Sequence, residues 1–334
     1  MAWRLPESVD VEAMREAVAT LVARHPVLSC AVVAVGEELR FSPAEARPGL
    51  QVRDTSEPMD EVLRDEAERG FRLTGEALLR VVLWRSRDEY PVLQVVTHHL
   101  VADGRSAEII HEEIAAVYRG AVLPTPGLLG DALRDERRLP AATLNDCEAY
   151  WSAAMKEGPA KAPFVDANTD PRDMSGDHLE YRWPAALSTI TARVADRAGC
   201  TPFVVMLAAV SLAVARASGL EEFLISVPTY GRDQAEHGNT VGCFVRPVPV
   251  VIRLDRSCPV EEWLDSLHRQ VRAALSMTAL PYARIMQHCQ VTPSVTFAYQ
   301  NWPRSDQPVE PLGELVYRRG QQGHFPLGIE ITDT

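Results

Sequence analysis

The chain has 334 residues, 46% hydrophobic and 24% charged, with a formal net charge of −12. That length predicts two domains or two lobes of one unit around an ordinary folded core. The acidic balance argues against general nucleic-acid binding, which needs a basic surface, and no apolar run reaches the length of a membrane span.

The N-terminus lacks a basic segment followed by an apolar one, so no signal peptide is expected. Six cysteines, Cys30, Cys147, Cys200, Cys243, Cys258 and Cys289, are scattered without a C-x-x-C pair. Disulfide and zinc frameworks are therefore not expected, and a cytoplasmic location fits best.

Val11, Met14, Val18, Leu21 and Val22 recur at helical spacing, with Ser8 or Asp10 as the cap. Pro26 stops that helix. His25 at its end is expected to cap carbonyls, with a ligand role as the alternative. Val32 to Val35 reads as a strand, and residues 36–57 as turns and short strands. Pro58 to Arg69 is a short helix with Gly70 past its end. Residues 78–84 and 92–98 are apolar runs joined by a polar connection, so they are expected to be sheet neighbours.

The second of these runs leads into His98-His99-Leu100-Val101-Ala102-Asp103-Gly104. A helical pattern follows, with Ala107, Ile110, Ile114 and Val117 on one face. Neighbouring strand residues point to opposite faces. If the strand persists that far, one histidine packs and the other faces open space. His99 suits either of two roles, proton acceptor or hydrogen-bond donor, because an ordinary imidazole titrates near neutral pH. Backbone N–H groups near Gly104 add positive potential. Asp103 reads as a structural anion that needs a cation, or as a member of a triad. On the residues alone, Arg80 is one candidate cation. A metal site built from His98, His99 and Asp103 is disfavoured, because adjacent strand histidines diverge. No G-x-S-x-G, phosphate-loop or dinucleotide fingerprint occurs.

From Arg119 to Pro140 the chain is rich in proline and charge, and residues 156–176 read as a loop. Residues 178–183 read as a strand. Leu187 to Ala198 is a helix ending at Gly199. Pro202 to Ala217 is apolar nearly all round and reads as a buried core helix. Glu222 to Val227 is a strand that leads into a polar loop carrying Tyr230-Gly231-Arg232. Val260, Trp263, Leu264, Leu267, Val271 and Leu275 form another amphipathic helix.

The motif H-H-x-x-x-D-G at 98–104 resembles the signature of the condensation domains of nonribosomal peptide synthetases, in the chloramphenicol acetyltransferase-like superfamily. Further stretches carry the likeness along the chain. They are Arg24-His25-Pro26-Val27-Leu28, Phe71-Arg72-Leu73 with Leu78-Leu79-Arg80, and Tyr150-Trp151. Gly231-Arg232 with Val241-Gly242-Cys243-Phe244-Val245 is similar to the family's "GR … iG-x-F-v-N", except that Arg246 stands where the family usually has Asn. Val295 to Asn301 and His324 to Glu330 resemble two later strands. Both ends look trimmed relative to the family.

The resemblance implies an α/β pseudo-dimer of two chloramphenicol acetyltransferase-like lobes arranged in a V, with mixed sheets and flanking helices. The N-terminal lobe is expected at 1–155, a linker at 156–176 and the C-terminal lobe at 177–334. It also implies that His99 faces the reaction centre, with His98, Asp103, Gly104 and Arg232 structural around it. Arg232 is the implied partner of Asp103, from the other lobe.

The implied reaction joins two acyl or aminoacyl thioesters, moving the donor acyl group to the acceptor amine. The substrates arrive on phosphopantetheine arms of donor and acceptor carrier domains, next to an adenylation domain. No directly bound cofactor or metal and no nucleic-acid or membrane partner is expected. The alternatives are a free-standing acyltransferase, an epimerization domain, and a non-catalytic module that recruits carrier proteins.

Overall fold

The computed structural model describes residues 1–36, 38–165, 176–232, 234–300, 310–317 and 325–332. In chain order the elements begin with β1 (Ala2–Arg4), α1 (Val11–Arg24), β2 (Cys30–Val35), β3 (Glu38–Pro43) and β4 (Leu50–Asp54). Next come α2 (Met59–Glu68), β5 (Leu79–Arg85), β6 (Val92–Thr97), α3 (Gly104–Tyr118), α4 (Leu129–Arg137) and α5 (Ala141–Met155). Then follow α6 (Ala186–Ala198), α7 (Pro202–Ser218), β7 (Glu222–Thr229), β8 (Arg246–Arg253) and α8 (Val260–Leu275). The last are α9 (Tyr282–Met286), β9 (Val295–Gln300), β10 (Glu314–Tyr317) and β11 (Leu327–Thr332).

These elements divide into two compact units, neither continuous in sequence. The first takes Met1–Arg137, the loop Arg232–Phe244 and strand β10. The second takes α5 to β7, then β8 to β9, and β11. Each is an α/β unit with a mixed sheet.

In the first unit the sheet order is β10-β1-β6-β5-β4, with β4 parallel to β5 and the other neighbours antiparallel. The expected pairing of β5 with β6 is present, from Leu79 opposite Thr97 to Trp84 opposite Val92. Successive residues on β5 serve opposite faces. Val81 and Leu83 pack with Met14, Val18 and Leu21 of α1 and with Ile109, Ile110 and Ile114 of α3. Val82 and Trp84 pack with Met59, Val62 and Leu63 of α2. Helices thus cover both faces, which is why the two strands read as continuous apolar runs. Asp10 opens α1, its carboxylate accepting from the N–H groups of Glu12 and Ala13 at 2.9 and 3.0 Å. At the other end His25 is buried, with Nε2 3.0 Å from Glu113 Oε2. Arg24 meets the same carboxylate at 2.9 and 3.1 Å. The histidine ties α1 to α3 through a side chain of α3, and it also closes α1 as expected for a helix end, its backbone N–H donating to Leu21 O at 3.0 Å.

The second unit has sheet order β11-β9-β7-β8, parallel at β11–β9 and β9–β7 and antiparallel at β7–β8. Thr201 caps α7, Pro202 occupies its first turn and Gly219 ends it in the left-handed region at φ 73°. Val204, Leu207 and Val210 of α7 and Leu264 and Leu267 of α8 pack on Phe223 and Ile225 of β7 and Phe297 of β9. Leu224, between those two β7 residues, points the other way to Cys147, Trp151 and Met155 of α5. No single helix among the described residues is long and apolar enough to cross a membrane.

The alternating segment 178–183 is not a strand. Leu179 is 92% exposed and Tyr181 74%. Alternation supplies two faces, but a strand also needs a neighbour to take its backbone groups, and among the described residues no strand pairs with this segment. Residues 166–175 of the loop expected at 156–176, together with Asn301 and His324, lie outside the described residues.

Candidate active site

Strand β6 ends at Thr97, so both histidines lie in the turn that follows it. The turn is tied at His98. Its N–H donates to Leu78 O at 3.0 Å, and its own carbonyl accepts from Val101 N–H at 3.1 Å. The His98 ring is half-buried, edge-on to Phe71 at 6.0 Å, and its Nδ1 accepts from Leu100 N–H at 3.1 Å. An accepting Nδ1 puts the proton of a neutral ring on Nε2. Burial, helped by the neighbouring His99, pushes the His98 pKa down from 6.5. His98 is therefore a packed, neutral histidine. His99 is exposed, and its Nδ1 lies 3.5 Å from the sulfur of Cys243. The split between a packed and an open histidine arises within the turn, not from strand alternation.

Asp103 is the N-cap of α3, and Gly104 is the first residue of that helix. Its carboxylate has no exposed surface, and the Arg232 side chain has 1%. Arg232 meets it with two parallel bonds, Nη1 to Oδ2 and Nη2 to Oδ1, both 2.8 Å. Ser106 N–H donates to Oδ1 at 2.9 Å and Phe244 N–H to Oδ2 at 2.9 Å. Arg232 also reaches Thr240 O at 3.2 Å, and its guanidinium lies over the Phe244 ring at 4.4 Å. Burial alone would raise the Asp103 pKa. The Arg232 hydrogen bonds and charge and the two N–H donors outweigh it and hold the carboxyl below its ordinary value. Arg232 and Asp103 both belong to the first compact unit, so the loop 232–244 is part of the unit that carries the histidine turn.

Arg80, the other candidate cation, is engaged elsewhere. Its Nε is 2.5 Å from Glu66 Oε1, and its Nη2 reaches the carbonyls of Glu66 and Arg69 at 3.0 and 2.6 Å. Arg246 heads β8 and donates to Thr278 O at 3.2 Å. Among the described residues no group of three His, Cys, Asp or Glu side chains could hold a metal ion.

Two residues of the site escaped the reading of the sequence. Ser106 Oγ accepts from Gly242 N–H at 3.0 Å and from Arg232 Nη2 at 3.0 Å. Its single proton goes to Gly242 O at 2.7 Å or Asp103 Oδ1 at 2.8 Å. Cys243 is the other. Their contacts with the returning loop leave no local signal, since Ser106 meets Gly242 136 residues away and Cys243 meets His99 144 residues away.

The site therefore offers an exposed imidazole on a turn clamped by a buried ion pair and a helix start. Such a group can donate a hydrogen bond to developing charge or move a proton. Comparison with known proteins places the chain in a family. The condensation domain family matches residues 1–331. Phosphinothricin tripeptide synthetase PhsC of Streptomyces viridochromogenes is 27% identical over 315 residues, covering 88% of this chain and 29% of that protein. Gramicidin S synthase 2 of Aneurinibacillus migulanus is 25% identical over 350 residues, covering 98% of this chain and 8% of that protein. The chain thus spans well under a third of either relative. The first condensation domain of the calcium-dependent antibiotic synthetase has the same fold, with a TM-score of 0.74 at 18% identity, covering all of this chain and 82% of that one. The chain belongs to the condensation domain family.

Proposed function

We propose that this chain joins two thioesters held on carrier domains, moving the donor acyl group onto the amine of the acceptor. The acceptor nitrogen attacks the donor carbonyl carbon, and negative charge gathers on the carbonyl oxygen. The C–N bond forms and the C–S bond breaks. The sulfur leaves with the electron pair and takes up the proton that the amine sheds. The observation that carries this reading is the exposed His99 imidazole on the turn tied down at Asp103. A hydrogen bond or proton transfer from such a group to the developing charge is worth about a hundredfold or more in rate. Asp103, Arg232, His98 and Gly104 hold the turn and touch no reacting atom in this scheme.

The phosphopantetheine arms enter as part of the substrates, on donor and acceptor carrier domains that work beside an adenylation domain. A cytoplasmic setting goes with this chemistry and with cysteines spaced for no disulfide framework.

The test is to mix the chain with one carrier loaded with a donor acyl group and one loaded with an aminoacyl group, and to weigh both carriers by mass spectrometry. Transfer of the acyl mass to the acceptor carrier is the expected result. Binding of both carriers with no transfer for any loaded pair would replace this reading with a recruiting module.

A further inference from the structure

The His99 ring has one hydrogen-bonding partner among the described residues, the Cys243 sulfur 3.5 Å from Nδ1. The thiol is exposed, as is the ring. The sulfur is nevertheless held in place, because the backbone on both sides of it is pinned. Gly242 N–H donates to Ser106 Oγ at 3.0 Å, and its carbonyl oxygen lies 2.7 Å from the same hydroxyl. Phe244 N–H donates to Asp103 at 2.9 Å. Asp103 and Ser106 start the helix just past His99. One buried node therefore sets the positions of both the ring and the sulfur.

The pair can share a proton in different ways. A thiol is a weak donor and its sulfur a weak acceptor, while the lone pair of a neutral imidazole accepts readily. The better match is S–H to nitrogen. We propose that Cys243 is a positioning residue: its S–H donates to Nδ1 of neutral His99, so that the ring carries its proton on Nε2. The functional half of this inference rests on the proposed role of His99. It narrows that role to one of the two that the sequence left open. A ring with its proton on Nε2 gives a hydrogen bond to the charge growing on the thioester oxygen. The amine's proton then leaves by another route, to the departing sulfur or to water.

The experiment uses the full chain labelled with 15N-histidine, at a pH well above ordinary imidazole titration. Long-range proton–nitrogen correlations report which ring nitrogen carries the proton, and the His99 signals are those lost in His99→Ala. The expected result is a protonated Nε2 with Nδ1 unprotonated and hydrogen-bonded. In Cys243→Ala the Nδ1 signal moves to the position of an unbonded ring nitrogen, and Cys243→Ser moves it back. A protonated Nδ1 in the wild type overturns the proposal, whether it donates to the sulfur or belongs to a thiolate–imidazolium pair. An Nδ1 signal that is identical with and without the thiol overturns it too.

In the two-carrier transfer assay, Cys243→Ala is expected to lower kcat about 3- to 10-fold with KM unchanged, the range for one weak hydrogen bond. Cys243→Ser should recover most of the rate. A Cys243→Ala rate equal to wild type ends the positioning role. Failure of the His99 reading looks different. There His99→Ala keeps the wild-type rate, which removes the positioning role but leaves the proton assignment standing.

Discussion

Two buried arginine–carboxylate pairs in the first unit invite comparison, Arg80 with Glu66 and Arg232 with Asp103. Both carboxylates are shielded, 3% exposed at Glu66 and none at Asp103. Both are held below their ordinary pKa, because arginine contacts outweigh the cost of burial. They differ in what they join. Glu66 and Arg80 are 14 residues apart, and Arg53 and Arg69 also bind Glu66 at 3.0 and 2.7 Å. That cluster fastens α2 to β4 and β5, on the sheet face served by α2. Asp103 and Arg232 are 129 residues apart. That pair fastens the loop 232–244 to the start of α3, next to the histidine turn. The same chemistry serves the fold in one place and the site in the other.

Removing a carboxylate should give the largest effect and tell the pairs apart. Taking one member from a buried pair strands the other charge, at about 3–5 kcal/mol. We predict losses of that order for both Asp103→Ala and Glu66→Ala in urea unfolding. Among molecules that remain folded, acyl transfer should collapse in Asp103→Ala and persist in Glu66→Ala. Equal transfer by the two variants would show that the pairs are not divided in this way.

Lysine in place of arginine gives a smaller, sharper contrast. It keeps the charge but loses the planar fork. Arg232→Lys should lose about 1–2 kcal/mol of stability, one or two of its hydrogen bonds. It should also transfer more slowly, because the two parallel bonds fix the direction of the loop as well as its distance. Arg80→Lys should lose similar stability and keep its rate. A full wild-type rate in Arg232→Lys would mean that charge alone holds the loop.

Acid titration should separate these pairs from a buried histidine in the same unit. His111 is stacked on Trp3 at 4.3 Å, and its Nε2 accepts from Leu312 N–H at 3.4 Å. Burial, with the charge of Arg119 beside it, pushes its pKa down to about 4. The unfolded chain then binds a proton at this position that the folded chain refuses. Stability from this group is complete above the ordinary imidazole pKa of 6.5 and is lost as the pH falls toward about 4. The Asp103 and Glu66 contributions are complete above the ordinary carboxyl values of 3.8 and 4.5 and are lost below them, as the unfolded carboxyls and then the folded ones protonate. Urea unfolding from pH 7 to 4 should show the first decline, and His111→Gln should flatten part of it. An unchanged slope in His111→Gln would assign the decline to other groups.

What was legible in the sequence follows from distance along the chain. The β6–turn–α3 unit was readable because its apolar run, its Asp cap and its helical face are adjacent. The pairing of β5 with β6 was readable because a short polar connection leaves antiparallel neighbours. Arg232 as the partner of Asp103 came from the family resemblance, since the residues alone left Arg80 as a rival. Burial and hydrogen bonding resolve that rivalry, and neither can be read from spacing. The Ser106 contact with Gly242 and the Cys243 contact with His99 depend on a loop returning from more than 130 residues away. Segment 178–183 misled in the opposite direction. Its alternation is genuine, but strand formation is decided by a neighbour that the segment itself cannot specify.

Labour in the site is divided: the exposed imidazole acts on the reaction and the buried pair only holds it. The direct measurement is acyl transfer by His99→Ala beside its melting temperature. We expect the rate to fall about a hundredfold or more while the melting temperature stays near wild type, because the ring is exposed and has a single weak partner among the described residues. A rate near wild type, or a rate loss matched by unfolding, would contradict that division.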